Sequence, residues 1–192
     1  MKTHLRIFIV GFLVVVFAEN SFGEDYNFRK TNWGMSNVQV MSSEPLDVAE
    51  ENENMLIYKT IVIGKEVFVV YIFVDNQLLR ARYVLAESHT NKNVFISDYN
   101  EFKEILTKKY GKPKQDDTFW ANDLYKDDYS NWGMAISLGH LTYLSSWETQ
   151  DTEIQTYLTG ENYDISCIVE YRSKDLKELE EKAQEKKALD VF

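Results

Sequence analysis

The groups this sequence supplies in quantity for chemistry are carboxylates and aromatic rings, and between Gln115 and Ser130 the two interleave. Asp116, Asp117, Asp123, Asp127 and Asp128 alternate with Phe119, Trp120, Tyr125 and Tyr129. Rings of this kind anchor interfaces, and acids steer charged partners toward them. The expected recognition residues are therefore Trp120, Asp123, Tyr125, Asp127 and Tyr129. The plainer alternative is a hairpin with its rings turned in and its acids turned out. The stretch lacks the alternating Asp/Asn series, turn glycine and closing Glu of a calcium loop. A second acidic stretch, Asp47 to Asn54, holds Glu50, Glu51 and Glu53 and reads as a solvated loop, because a metal site needs convergent geometry.

Other chemistry is thinly supplied. Three histidines lie far apart as His4, His89 and His140, so neither a zinc site nor histidine-based catalysis is expected. The one cysteine, Cys167, alternates with Ile165, Val169 and Tyr171 and reads as a buried, inert thiol. There is no Gly-x-Ser-x-Gly elbow, His-Glu-x-x-His, Cys-x-x-Cys, Walker loop or dinucleotide fingerprint. No cofactor and no metal is expected, and catalytic residues are unknown. A hydrolase using paired carboxylates stands as the alternative from another class.

Charge and the first residues bound the setting. A net charge of −10 repels phosphate backbones and anionic lipid, which argues against nucleic-acid or membrane-surface binding. Lys2 and Arg6 precede an apolar run from Ile7 to Phe17, which is short for a bilayer span. Ser21-Phe22-Gly23 then offers small residues around a cleavage point. Residues 1–23 therefore read as a signal peptide and 24–192 as a single exported domain, periplasmic or secreted, without a membrane anchor after cleavage.

The elements that must position these groups follow from periodicity. Val67 to Val74 reads VFVVYIFV, apolar on both faces, and predicts a central strand covered on both sides. Met55 to Val62 precedes it across Gly64-Lys65, and Leu78 to Ala86 follows across Asp75-Asn76, giving a three-stranded meander. In the third strand Leu79, Ala81, Tyr83 and Leu85 share one face, while Arg80 and Arg82 sit on the other, solvated or ion-paired. Ser36 with Gln39 forms a capping box for a short helix ending by Glu44-Pro45, with Trp33 as its anchor on the sheet. Glu87 to Ser97 reads as a polar loop, then Asp98 caps a helix to Tyr110 that Gly111 and Pro113 stop. Ala135 to Gly139 reads as strand or turn, and strands near Leu141–Ser145, Glu153–Leu158 and Tyr163–Tyr171 make a second meander. Ser173 caps a solvated helix over about 174–189. Asn-Trp-Gly-Met occurs at both 32–35 and 131–134, but with unlike sequels it reads as coincidence.

Trp33-Gly34-Met35-Ser36, Tyr110-Gly111-Lys112-Pro113, Trp147-Glu148-Thr149 with Thr152 and Ile154, and Tyr171-Arg172-Ser173 resemble, in order, small exported bacterial proteins of uncharacterised function. Tryptophan-glycine entering a helix and then a meander is also similar to beta-lactamase-inhibitor-like and outer-membrane-assembly lipoprotein modules. That resemblance implies binding without catalysis, although the acylated cysteine of the lipoproteins is missing. The expectation is an α+β fold, an antiparallel meander-rich sheet with flanking helices. Its expected role is an exported binding or assembly protein of the cell envelope whose partner is another envelope or secreted protein, or an inhibitor of such a protein.

Overall fold

A computed structural model describes residues 26–189. The expected signal peptide lies outside the described residues. The described residues form one eight-stranded antiparallel sheet and four α-helices, an α+β architecture. The elements run α1 (Asn37–Ser43), β1 (Val48–Asn52), β2 (Met55–Val62), β3 (Lys65–Val74), β4 (Gln77–Leu85), α2 (Val94–Tyr110) and β5 (Gln115–Trp120). A 3₁₀ turn at Tyr129–Asn131 leads into α3 (Trp132–Ser137), then β6 (Leu141–Glu148), β7 (Thr152–Glu161), β8 (Asp164–Ser173) and α4 (Lys177–Leu189). The sheet order is β1-β2-β3-β4-β8-β7-β6-β5. Each half thus begins at an edge with a helix behind it and finishes at the middle, where β4 meets β8.

One sheet face carries the core. Leu56 and Tyr58 of β2, Val67, Val69, Tyr71 and Phe73 of β3, Ala81 of β4, Cys167 and Val169 of β8, and Ile154 and Leu158 of β7 are all buried there. Phe95, Ile96, Tyr99, Phe102 and Leu106 of α2 join the same core, at helical spacing. Burying side chains of this size is worth about 1.5–3 kcal/mol each. Trp33 anchors the α1 entry as expected: its indole N–H donates to Thr152 Oγ1 on β7 at 2.9 Å. The Ser36–Gln39 capping box is present.

Several expectations are corrected. The stretch read as an acidic loop contains β1, an exposed edge strand paired to β2; its acids are not a loop signal but the polarity that an edge strand tolerates. Ala135 to Ser137 is helical, closing α3. The two Asn-Trp-Gly-Met copies take different conformations: Gly34 sits at φ +82° in a turn, whereas Gly133 lies inside α3. Helix α2 begins four residues earlier than Asp98. Asp98 is no cap; it is buried, accepts from Lys65 Nζ at 2.7 Å and lies 2.6 Å from His89 Nε2. His89, half-buried with its ring edge-on to Phe95, therefore belongs to a packed corner rather than to a free polar loop. Finally, β3 is third in the sheet and its second face is covered only in part: Val70 is buried there, whereas Phe68 is exposed.

Candidate recognition surface

Strand β5 is a sheet edge, and its pleat sends successive side chains to opposite faces. Asp116 turns toward α2, where it accepts from Lys103 Nζ at 2.6 Å and from Ser145 Oγ at 2.7 Å, and Ser145 is itself 2.7 Å from the Tyr99 hydroxyl. Partial burial opposes ionisation of Asp116, but the Lys103 ammonium and the Ser145 hydroxyl outweigh it and hold the carboxyl below its usual range. Past Trp120 the Ala121 N–H donates to His140 O at 2.8 Å, and the chain leaves the sheet. Asn122 Oδ1 then accepts from the Leu124 N–H, and Lys126 N–H donates to Asp123 O. Asp128 accepts from Ser130 N–H and Oγ and from Asn131 Nδ2, which lowers its pKa.

The return of this loop is pinned from below. Trp132 donates its indole N–H to Lys126 O at 3.1 Å and meets Trp120 at 5.6 Å and Tyr129 at 4.9 Å between ring centroids. Asn93, at the start of α2, donates to the carbonyls of Tyr129 and Ser130 and accepts from the Gly133 N–H at 2.6 Å. A Cβ on Gly133 would fall 2.3 Å from the Lys92 carbonyl carbon, so only glycine lets α3 approach α2 this closely.

The structure divides the expected recognition residues into two groups. Trp120 and Tyr125 are half-buried and pack against the core; Tyr125 also stacks on His140 at 6.2 Å. They lie at the base of the loop, each half-buried against the core with part of its ring accessible. Asp123, Asp127 and Tyr129 are exposed, Asp123 pairing with Lys126 and Asp127 making no hydrogen bond or ion pair among the described residues. The apolar residues that do face solvent are Phe119 (49% exposed), Leu124 (68%) and Tyr129 (61%). Leu124 escaped sequence reasoning because a lone leucine in an acidic loop has no periodic neighbours to mark its direction. Phe119 was visible as an aromatic but needed the strand register to show which way it points.

Register also exposes a second feature, on the sheet face opposite the core. Phe68 pairs with Val84, Val84 with Ile168, Ile168 with Tyr157, and Tyr157 with Leu144. These five apolar side chains form one row across β3, β4, β8, β7 and β6, spanning roughly 19 Å at the strand spacing of ~4.8 Å. All are partly or largely accessible. Ala49, Ile57, Phe68, Val70 and Val84 line a shallow hollow of about 370 Å³ at one end of the row.

Beside the apolar row runs an ionic one. Arg82 and Arg80 of β4 and Arg172 of β8 surround buried Glu170, with Arg80 Nη1 at 3.6 Å and Arg172 Nη2 at 3.2 Å from it and Arg82 Nε in direct contact. Glu180 of α4 reaches the same cluster, touching Arg80 and lying 3.8 Å from Arg172 Nε. Burial is the main influence on Arg80 and lowers its pKa, against the pull of Glu170. The reading of Arg80 and Arg82 as ion-paired therefore describes their place in the sheet.

Among the described residues the buried carboxylates are Glu44, Asp98, Glu170 and Glu180. Arg29 and the Tyr71 hydroxyl hold Glu44, Lys65 holds Asp98, and the arginine cluster holds the other two. Burial pushes the Cys167 thiol up to about 12, so it stays protonated and inert at neutral pH. No group of three or more His, Cys, Asp or Glu among the described residues is arranged to hold a metal ion, and no described helix is long and apolar enough to cross a membrane. The chemistry this arrangement offers is contact: apolar side chains on pinned backbone, with fixed charges around them. No family model, curated protein or solved structure matches the chain.

Proposed function

We propose that this chain is an exported, non-catalytic binding or assembly protein of the cell envelope, built as a single meander-rich domain that grips another envelope or secreted protein through the tip between β5 and α3. The observation that carries this reading is the exposure of Phe119 at the end of β5 and of Leu124 and Tyr129 on the connection that follows, whose backbone is fastened by Asn93, Asp128 and Trp132. A preformed apolar tip loses little freedom on docking, so its contact area is converted efficiently into affinity. The acids around it, Asp117, Asp123 and Asp127, favour a partner whose recess has a basic rim. If that partner is an enzyme, the protein is its inhibitor; the surface is the same.

Export is supported by the signal-like residues Lys2, Arg6 and Ile7 to Phe17 with the Ser21-Phe22-Gly23 site. The paired-carboxylate hydrolase has no such support, since it needs two carboxyl groups about 5–9.5 Å apart and free to act, and the buried ones are bound as described above. The test is crosslinking of tagged protein in the envelope fraction, followed by identification of what is captured. One stoichiometric partner should be retained by the wild type and lost from the doubly substituted Phe119→Ala/Tyr129→Ala protein, with no change in melting temperature. Capture that is unaffected by the double substitution would remove the tip from the binding site.

A further inference from the structure

We propose that α4 sits in cis on a second docking site, and that this site on the open sheet face accepts an acidic amphipathic helix of a partner protein. The open face carries an imbalance of charge. Three guanidinium groups, on Arg80, Arg82 and Arg172, share one buried carboxylate from the sheet, Glu170. A second carboxylate comes only from α4, as Glu180. Even then Nε of Arg80 and Nε of Arg172 are buried without a hydrogen-bond acceptor. Buried donors without acceptors are costly, so the cluster has both the charge and the spare donors for a further anionic group.

The helix that supplies Glu180 is otherwise weakly held. Among the residues of α4, Glu180 is the buried one. Its apolar residues Leu179 and Ala183, with Lys182 and Asp75, border a gap of about 350 Å³ rather than packing flush. A helix of 13 residues has marginal stability in water without tertiary packing. Glu180 is the buried carboxylate of this helix, with Leu179 and Ala183 half-buried near it. The helix therefore shows which chemistry the site accepts: an acid seated among arginines, with a leucine beside it and an alanine about one turn further on.

The apolar row from Phe68 to Leu144 lies two residues along the strands from the Arg82–Glu170 row, roughly 7 Å away at the usual strand rise. A helix lying across the sheet can place a carboxylate on the arginines and an apolar stripe on that row, the geometry of helix-in-groove recognition. The chain as a whole carries −10, yet this patch gathers three arginines, so charge selects an acidic helix for it.

The experiment uses the full chain and a fluorescein-labelled peptide of the α4 sequence, Asp175 to Leu189, followed by anisotropy. Glu180→Ala, which releases the native helix, should bind the peptide at least tenfold more tightly than the wild type. Adding Arg172→Ala, or replacing the peptide's own Glu180 by Gln, should abolish that gain, and 1 M salt should weaken it. Leu124→Ala/Tyr129→Ala should leave it unchanged, which separates this site from the tip. Glu180→Gln keeps the side-chain shape and serves as a second release variant. If both release variants unfold, α4 is an integral structural element and the proposal is overturned. It is equally overturned if a folded release variant binds no better than wild type, or if binding survives Arg172→Ala.

Discussion

Single side chains in this protein do their work mainly by meeting a charge or filling a turn. Asp98 is the sharpest case, a buried carboxylate between Lys65 and His89. Asp98→Ala strands the half-buried Lys65 ammonium, leaving it only Glu101 at the surface, and should cost about 3 kcal/mol, seen as a lower urea midpoint with unchanged slope. Ile63 lies at φ +49° in the β2–β3 turn, a region that penalises β-branched residues. Ile63→Asn should therefore stabilise the fold by about 1 kcal/mol, measured in the same titration. Asp116 and Asp151 both have pKa values held below the ordinary carboxylate range, burial being outweighed by their hydrogen-bond donors. A folded-state pKa below the unfolded one adds stability that is complete above about pH 5 and is lost as pH falls through the folded value. The urea midpoint should accordingly drop on acidification below about pH 4, and Asp116→Asn should flatten that drop while lowering the midpoint at neutral pH.

Elements impose demands that single residues cannot show. Helix α3 is short and survives because Gly133 lets it lie against the start of α2, with Asn93 bridging the two. Gly133→Ala should force the helices apart and cost about 2 kcal/mol or more, within the range for overpacking. It should also loosen the loop tip, visible as faster amide exchange from Leu124 to Tyr129. Trp120→Ala should act similarly, since its ring supports Trp132 from β5. It should lower stability as well as binding, whereas Phe119→Ala should lower binding alone. The difference between these two neighbours is a difference of one residue in the pleat. Alternation alone in the sequence does not reveal which of Phe119 and Trp120 points to the core, because both are aromatic and both flanks are polar.

At the scale of the whole molecule, the parts legible in the sequence were those written in local patterns. The capping box at Ser36, the turn at Asp75-Asn76 and the strands around VFVVYIFV all follow from short-range chemistry, and the structure has them. The misreadings concern partners distant in sequence. Asp98 resembled a cap because its contacts, Lys65 and His89, lie on other elements. The acids of β1 resembled a loop because an edge strand has half the pairing constraints of an interior one. The apolar second face of β3 resembled a buried face; in the folded chain it belongs to a row assembled from five strands, and no single strand announces that row. The candidate tip was half legible: the stretch was located, but the division into base and contact surface depends on His140, Trp132 and Asn93, which lie outside it.

The strand order has one further consequence. Six of the pairings in the sheet join strands that follow one another in the chain, and only β4 with β8 joins strands far apart. That seam is where two hairpin stacks become one sheet. A nick in the connection between β4 and α2 would leave every neighbour-to-neighbour pairing within its own fragment. The two pieces, 26–90 and 91–189, would still carry matching central edges, with Arg82 on one and Glu170 on the other. The architecture is thus that of a protein that can be divided and reconstituted, its halves recognising each other through the same backbone ladder that unites them in the intact chain.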